Sequence, residues 1–394
     1  MNYNVWTLAL ASAGLLSLPA VANAEEKANP VLSGLATTTL SGYVDTSAQW
    51  NFGTGDANTP PYAFGGTSKA DGFNLNVVKL TLESPITLKD EWSAGYKVDL
   101  LFGPDANALA TQSSGIASDF GVKQAYVALH APVGNGLDFK VGVWDTITGY
   151  EVTESVNNPN VTRSYGYTIE PSTHTGIQAA YQFVEALSAT VAVADTFGPK
   201  INERAFPAKA ESYKAYMGSL TLTAPKSWGF LSGATLSGCV MNGFNSSADS
   251  GTGADQTSWY VGGTINTPLN GLKVGASYDY AGVSSQGLNG ANYANATALY
   301  ASYQATERLS LHARAEYASS DALTAAGTPL FGADKVFATT ATLQYDLWKN
   351  VLSRIEFRWD HAASGSPAYG GTNAGDAPTK KNSFIVLANV TYRF

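Results

Sequence analysis

The chain has 394 residues, 31 of them Asp or Glu and 23 Lys or Arg, for a formal net charge of −8. Only 14% of residues are charged, against roughly 25% in an ordinary soluble chain, while 11% are aromatic and 39 are glycine. An acidic chain with scattered bases is a poor nucleic-acid binder, this aromatic content argues against disorder, and beyond the N-terminus no apolar run of about 20 residues offers a membrane-crossing helix.

In chain order, the first feature is an apolar stretch rich in Ala and Leu over residues 5–21, with Pro19 ahead of Ala22-Asn23-Ala24. That small-x-small pattern predicts a signal peptide over residues 1–24. Glu25, not Cys, follows the expected cut, so no lipid anchor is implied. Residues 25–39 are read as a short periplasmic segment and 40–394 as one barrel domain. Cys239 is the sole cysteine, which excludes a disulfide framework and paired-thiol metal sites.

From about Leu40 onward the pattern has period two, the mark of a half-buried strand. Leu309, Leu311, Ala313, Ala315 and Tyr317 share one face, with Ser310, His312, Arg314 and Glu316 on the other. Val351, Ser353, Ile355, Phe357 and Trp359 likewise alternate with Leu352, Arg354, Glu356, Arg358 and Asp360, and Trp92 to Phe102 repeats the theme around Lys97 and Asp99. Sixteen strands are predicted: 40–52, 73–84, 91–103, 120–130, 137–147, 173–183, 187–198, 211–224, 228–243, 256–266, 271–283, 292–304, 308–319, 334–346, 351–361 and 382–394.

By these spans the connections alternate between short ones and long ones dense in Gly, Asn, Ser, Asp and Pro. An even strand number with brief turns on one side and long loops on the other predicts an all-β transmembrane antiparallel barrel. In lipid every backbone donor and acceptor needs an internal partner, so spanning strands close on themselves. Trp50, Trp92, Trp228, Trp259, Trp348 and Trp359 fall near strand ends, where an aromatic girdle belongs; Trp144 is expected to face inward. Counting back from Phe394, alternate positions through Tyr392 and Val390 to Phe384 are apolar or aromatic. This run is similar to the closing-strand signal that barrel assembly machinery reads in Gram-negative outer membranes.

Several stretches carry a family resemblance: Gly42-Tyr-Val-Asp45, Gly95-Tyr-Lys-Val-Asp-Leu-Leu-Phe-Gly103, Val122-Lys-Gln-Ala-Tyr-Val127, Phe139-Lys-Val-Gly-Val143, Asn160-Val-Thr-Arg-Ser-Tyr165 and His174-Thr-Gly176. On these, from about residue 40 to the C-terminus, the chain resembles the OmpL-like β-barrel porin family (porin type 2). The resemblance implies an outer-membrane porin and transfers no functional residues.

A sixteen-stranded barrel leaves an aqueous lumen, so inward charges become candidate selectivity groups. Alternation places Lys97, Asp99, Asp138, Lys140, Lys273, Asp279, His312, Arg314, Glu316, Arg354, Glu356, Arg358 and Asp360 there. The longest loop, 148–172, corresponds to the third external loop, which narrows the lumen in sixteen-stranded porins. By that analogy Glu151, Glu154, Arg163 and Glu170 are candidate constriction residues, and an acidic loop facing Arg314, Arg354 and Arg358 would set up a transverse field. The alternative is a loop resting over the rim.

The expected function is a passive pore for ions and small hydrophilic solutes, with no catalytic step, cofactor or metal. Expected partners are the lipid bilayer, lipopolysaccharide and the assembly machinery, and a homotrimer is admissible. Two alternatives come from other classes: a plugged barrel anchoring surface-adhesion loops, and an outer-membrane lipid hydrolase using His174 after Ser172. No Gly-x-Ser-x-Gly elbow, phosphate loop or His-Glu-x-x-His pattern supports an enzyme. Asp56-Ala-Asn58 and Gly251-Thr-Gly253-Ala-Asp255 lack the ligand spacing of calcium loops.

Overall fold

Period-two sequence becomes strand throughout. The computed structural model describes residues 37–53, 55–87, 90–113, 118–205, 213–244, 255–283, 292–322 and 329–394. The predicted signal peptide and most of the 25–39 segment lie outside them. The strands are β1 (Thr39–Phe52), β2 (Gly72–Ser84), β3 (Ser93–Phe102), β4 (Phe120–Ala131), β5 (Leu137–Asp145), β6 (Thr173–Val184), β7 (Leu187–Ala194) and β8 (Ala215–Thr223). They continue with β9 (Thr235–Phe244), β10 (Asp255–Asn266), β11 (Leu272–Val283), β12 (Asn292–Gln304), β13 (Leu309–Ser320), β14 (Lys335–Trp348), β15 (Val351–Ala362) and β16 (Asn382–Arg393). Among the described residues two short helices lie in loops, α1 (Pro104–Leu109) and α2 (Tyr165–Ile169).

Each strand pairs antiparallel with its sequence neighbours, and β1 pairs with β16 to close the barrel. The closing register runs from Tyr43 opposite Arg393 to Phe52 opposite Phe384. Phe394 and Gly42 exchange backbone hydrogen bonds, each 3.0 Å long. A Cβ on Gly42 would lie 2.1 Å from the Lys79 carbonyl oxygen and 2.7 Å from the Phe394 ring, so only glycine admits this closure. Tyr392, Val390 and Phe384 point outward and are exposed.

The two faces sort by chemistry. On β15, Ile355 and Phe357 are exposed, while Arg354, Glu356 and Arg358 between them are buried. The same outward row of large apolar side chains runs around the barrel, through Leu82, Val191, Leu220, Val240 and Leu299. Burying it in acyl chains is what a spanning barrel requires. Trp50, Trp92, Trp228, Trp259 and Trp348 are exposed, and Trp144 is fully buried on the inner side.

Most strand ends differ from the sequence reading by one or two residues, and three by four or more, among them β8, which starts at Ala215 and not at 211. Residues 228–234 are not strand: Lys226–Leu231 forms a 3-10 turn and β9 starts at Thr235. The connection 224–234 is therefore longer than the 245–254 connection that follows β9, and the long-short alternation is not strict. β7 stops at Ala194, which frees Phe197 to fold inward onto Met217 and Met241.

Two bulges matter for the interior. The β1–β2 register slips between Asp45 and Thr46, leaving Asn76 extra, and the β3–β4 register slips between Asp99 and Leu100, leaving Lys123 extra. A bulge re-aims side chains, and here consecutive residues Asn76–Val77 and Lys123–Gln124 are all buried.

Candidate pore constriction

The connection 146–172 folds into the barrel. Glu151, Glu154, Asn160, Arg163 and Tyr165 are buried against the inner wall. The loop is held by side chains from both sides of the closing seam, β10–β13 at its start and β1, β2, β4 and β15 farther on. Tyr150 stacks on Tyr300, with ring centroids 3.9 Å apart, and its hydroxyl meets Thr264 Oγ1 at 2.9 Å. Glu151 accepts from Arg314 Nη1 at 2.7 Å and from the Tyr300 hydroxyl at 3.2 Å. Glu154 sits between Lys79 at 2.6 Å and Lys123 at 2.9 Å. Lys123 also pairs with Asp145, and Lys79 with Asp99 at 3.1 Å.

Returning, the chain crosses β13–β16. Ser155 donates to Asp45 Oδ2 at 2.7 Å while its carbonyl accepts from Arg354 Nη1 at 2.7 Å. Glu356 grips the turn most tightly, accepting from Val161 N–H at 2.5 Å, Thr162 N–H at 2.9 Å and Thr162 Oγ1 at 2.6 Å. Arg358 donates to the Arg163 carbonyl at 2.7 Å, pairs with Asp360 at 2.9 Å and lies 3.9 Å over the Tyr62 ring. Tyr165 N–H donates to Glu316 at 2.7 Å, and Arg314 pairs with Glu316 at the same distance.

The inward-folding alternative is thus the one found, but the charges do not confront one another across a gap. Arg314 pairs directly with Glu151, and Arg354 and Arg358 spend donors on loop carbonyls. Arg163 bonds the carbonyls of Val161 (2.6 Å) and Thr153 and stacks 4.9 Å over Phe64. Lys97 faces Glu83 at 3.7 Å, on the same strand as Asp99. Glu170 closes the far end of the loop against Asp279, the two carboxyls hydrogen-bonded together. Gly149, with φ of 110°, lets Glu170 pack on its Cα; a Cβ there would meet Glu170 Oε2 at 2.3 Å.

Electrostatics divides the loop's two carboxylates. Burial alone would raise Glu154, yet Lys123 and Lys79 hold it well below the ordinary range. Burial, then the charge and hydrogen bond of Asp279, push Glu170 well above it. The cationic socket favours Glu154 as the anion; burial beside Asp279 favours Glu170 as the acid.

Other loops also turn inward. Phe331 and Tyr369 pack around Tyr165, and Tyr62 packs on Val161, Ile385 and Leu387. Asn58 ties the first loop to the last through the carbonyls of Gly370 (2.7 Å) and Asp376 (3.0 Å). A cavity of about 30 Å³ remains between loop and wall, lined by Asp45, Tyr62, Phe64, Lys69, Asp105 and Arg163 among others, enough for about one or two waters.

Sequence alternation missed Asp45, Lys79, Lys123 and Arg393 as loop anchors; Arg393 donates to the Val156 carbonyl at 2.7 Å. His174 is fully buried beside Trp144, its ring 5.2 Å away, rather than at the lipid boundary that an interfacial hydrolase needs. Among the described residues no group of three or more His, Cys, Asp or Glu is placed to hold a metal. Most of the 251–255 stretch lies outside them.

No curated protein matches the chain. Several solved structures share the fold at low identity. The anion-selective porin from Comamonas acidovorans is 14% identical, with a TM-score of 0.61, covering 91% of this chain and 99% of its own. The outer membrane channel DcaP of Acinetobacter baumannii gives 14%, 0.56, 91% and 97%. Salmonella typhi OmpF in complex with daunomycin gives 13%, 0.56, 91% and 97%. With residues 37–394 matching the family described as "Putative beta-barrel porin-2, OmpL-like", the chain belongs to this family of outer-membrane β-barrel porins.

Proposed function

We propose that the protein is a passive diffusion pore for small hydrophilic solutes and ions. The observation that carries this reading is the folding of 146–172 onto one charged wall of a closed sixteen-stranded barrel, which narrows the lumen from inside. Lys97, Asp99, Arg314, Glu316, Arg354, Glu356 and Arg358 are assigned to the pore wall. Glu151, Glu154, Arg163 and Glu170 are assigned to the constriction. Most of these groups act by fixing where the loop sits, and so the width of the passage. Residues 1–24 are proposed to be a removable export signal, and Tyr392 and Phe394 part of what the assembly machinery reads. Lipopolysaccharide would contact the outer girdle. A homotrimer is proposed too, because a structure titled the trimer form of Vibrio cholerae OmpT is among the fold's neighbours.

Single-channel conductance of the refolded barrel in a planar bilayer tests the reading, with a salt gradient to give the reversal potential. Stepwise ionic currents support it. Folded, heat-modifiable barrels that stay silent would replace it with the plugged surface-anchor reading.

A further inference from the structure

The lumen is electrically lopsided. β11 to β16 and β1 to β5 carry its inward charges. β6 to β10, five consecutive strands, contain one charged residue, Asp255, at the very start of β10 and bonded to Asn242 at 3.1 Å. The outward positions of these strands are Val191, Leu220, Leu236, Val240 and Val261, all exposed. Their inward alternates form cross-strand rows, Ser188 opposite Thr221 opposite Ser237 and Thr190 opposite Ser219. These five, with Thr264 on β10, are half-buried hydroxyls. Above them the same wall is apolar, with Met217, Met241 and Ala215 under Phe197.

The charged wall, by contrast, is occupied. Arg314, Arg354 and Arg358 are at most 2% exposed and engaged with Glu151, Glu316, Asp360, Asn389 or loop carbonyls. The loop therefore stands between those cations and a solute. The charges that flank the hydroxyl wall offset one another: Asp138 and Lys140 on β5, across from Ala180 and Gln178, are of opposite sign, and Asp195 just past β7 pairs with Lys214 just ahead of β8 at 3.1 Å.

We infer that the passage runs along β6–β9 between the hydroxyl wall and the loop, and that its preferred solutes are small uncharged polyhydroxy compounds, with ions crossing under little sign preference. This inference rests on the porin reading. An ion in a narrow, low-dielectric passage gives up hydration, and β6–β9 offer it no carboxylate, ammonium or guanidinium in return. A neutral hydroxylated solute exchanges its water hydrogen bonds for Ser and Thr hydroxyls, which both donate and accept.

The test uses the refolded full barrel in liposomes and in planar bilayers. Swelling rates are compared for arabinose and glucose, for gluconate as the anion and for glucosamine as the cation, alongside the reversal potential in a potassium chloride gradient. The expected result is faster entry of the neutral sugars than of either charged analogue, and a cation-to-anion permeability ratio within about twofold of one. Two variants locate the path: Ser219→Lys should shift the reversal potential toward anion preference and Ser219→Asp toward cation preference. A roughly tenfold ion preference in the wild type, or neutral sugars slower than charged analogues, overturns the inference and leaves the porin reading intact. So does an unmoved reversal potential in both conducting variants. Folded wild-type barrels that pass neither sugar nor ion would instead overturn the porin reading itself.

Discussion

Glu356 and Glu170 show what single carboxyls do in this lumen. Glu356 accepts three hydrogen bonds from Val161 and Thr162, and a fourth from Thr342 Oγ1 at 2.8 Å. Glu356→Ala leaves buried donors unpaired and removes the countercharge near Arg354 and Arg358, a loss of about 3–5 kcal/mol of loop anchoring. The expected outcome is a larger and noisier single-channel conductance in a barrel that still shifts on heating in a gel. Glu170 gives the opposite lesson. Its folded-state value lies above that of an unfolded chain, so its contribution to stability is complete below the unfolded value, near 4.3, and is lost as pH rises through the folded one. Channel noise in the wild type should accordingly grow on raising pH, and Glu170→Gln should flatten that dependence. Recordings from pH 5 to 9 decide it; an unchanged slope in the variant rejects the carboxyl pair as its source. Glu154 runs the other way. Held low by Lys79 and Lys123, it stays charged until pH falls well below the ordinary carboxylate range.

At the level of elements, strand faces were legible in the sequence and bulges were not. Period two placed Arg314, Arg354, Glu356 and Arg358 inside without any structure, because each stands between apolar lipid-facing neighbours. The same rule puts Asn76 and Lys123 on the lipid face, beside Val78 and Val127. A lysine among acyl chains was the available signal that the register slips there, since a two-against-one pairing turns the extra side chain inward. The loop's burial was not readable either. Its docking depends on Glu356 and Glu316 meeting backbone N–H groups from 151 to 195 residues away, and no local pattern encodes such contacts. The turn 224–234 was misread because Trp228 and Phe230 look like strand residues, although their exposed positions on the short-turn side suit girdle aromatics as well. Closure is an element-scale prediction. Gly42→Val brings a Cβ against the Lys79 carbonyl and the Phe394 ring, so the yield of heat-modifiable barrel should fall at least about fivefold, a penalty near 1 kcal/mol or more. Normal yield would show that β1 and β16 can part locally without harm.

Across the whole molecule, the barrel separates three environments with one repeating rule: lipid outside, a charged and filled side of the lumen, and a smaller side along β6–β10 almost without charge. Thiol accessibility maps this division directly. Cys239 is buried on the inner side of β9 and gives a low background. Ser237→Cys, facing the proposed path, should react with a membrane-impermeant methanethiosulfonate and lower the conductance. Leu236→Cys, 51% exposed on the outer face, should react with a lipophilic maleimide and leave the current unchanged. The reverse pattern would move the aqueous path to the other side of the loop.

The grip on the 146–172 loop has a consequence for the order of events during biogenesis. The loop is made early, yet Glu316, Arg354, Glu356, Arg358 and Arg393, which hold it, belong to the last four strands. A chain truncated after β13 still has Lys79, Lys123, Arg314 and Glu316 but lacks Arg354, Glu356 and Arg358, so the 161–163 turn of its constriction loop loses most of what fastens it. In a chain ending at Ser320, Arg163 should be cut readily by trypsin, and in the finished barrel it should resist. The narrowing of the pore is then a property that appears only when the circle closes, and an incomplete barrel betrays itself through a loose loop.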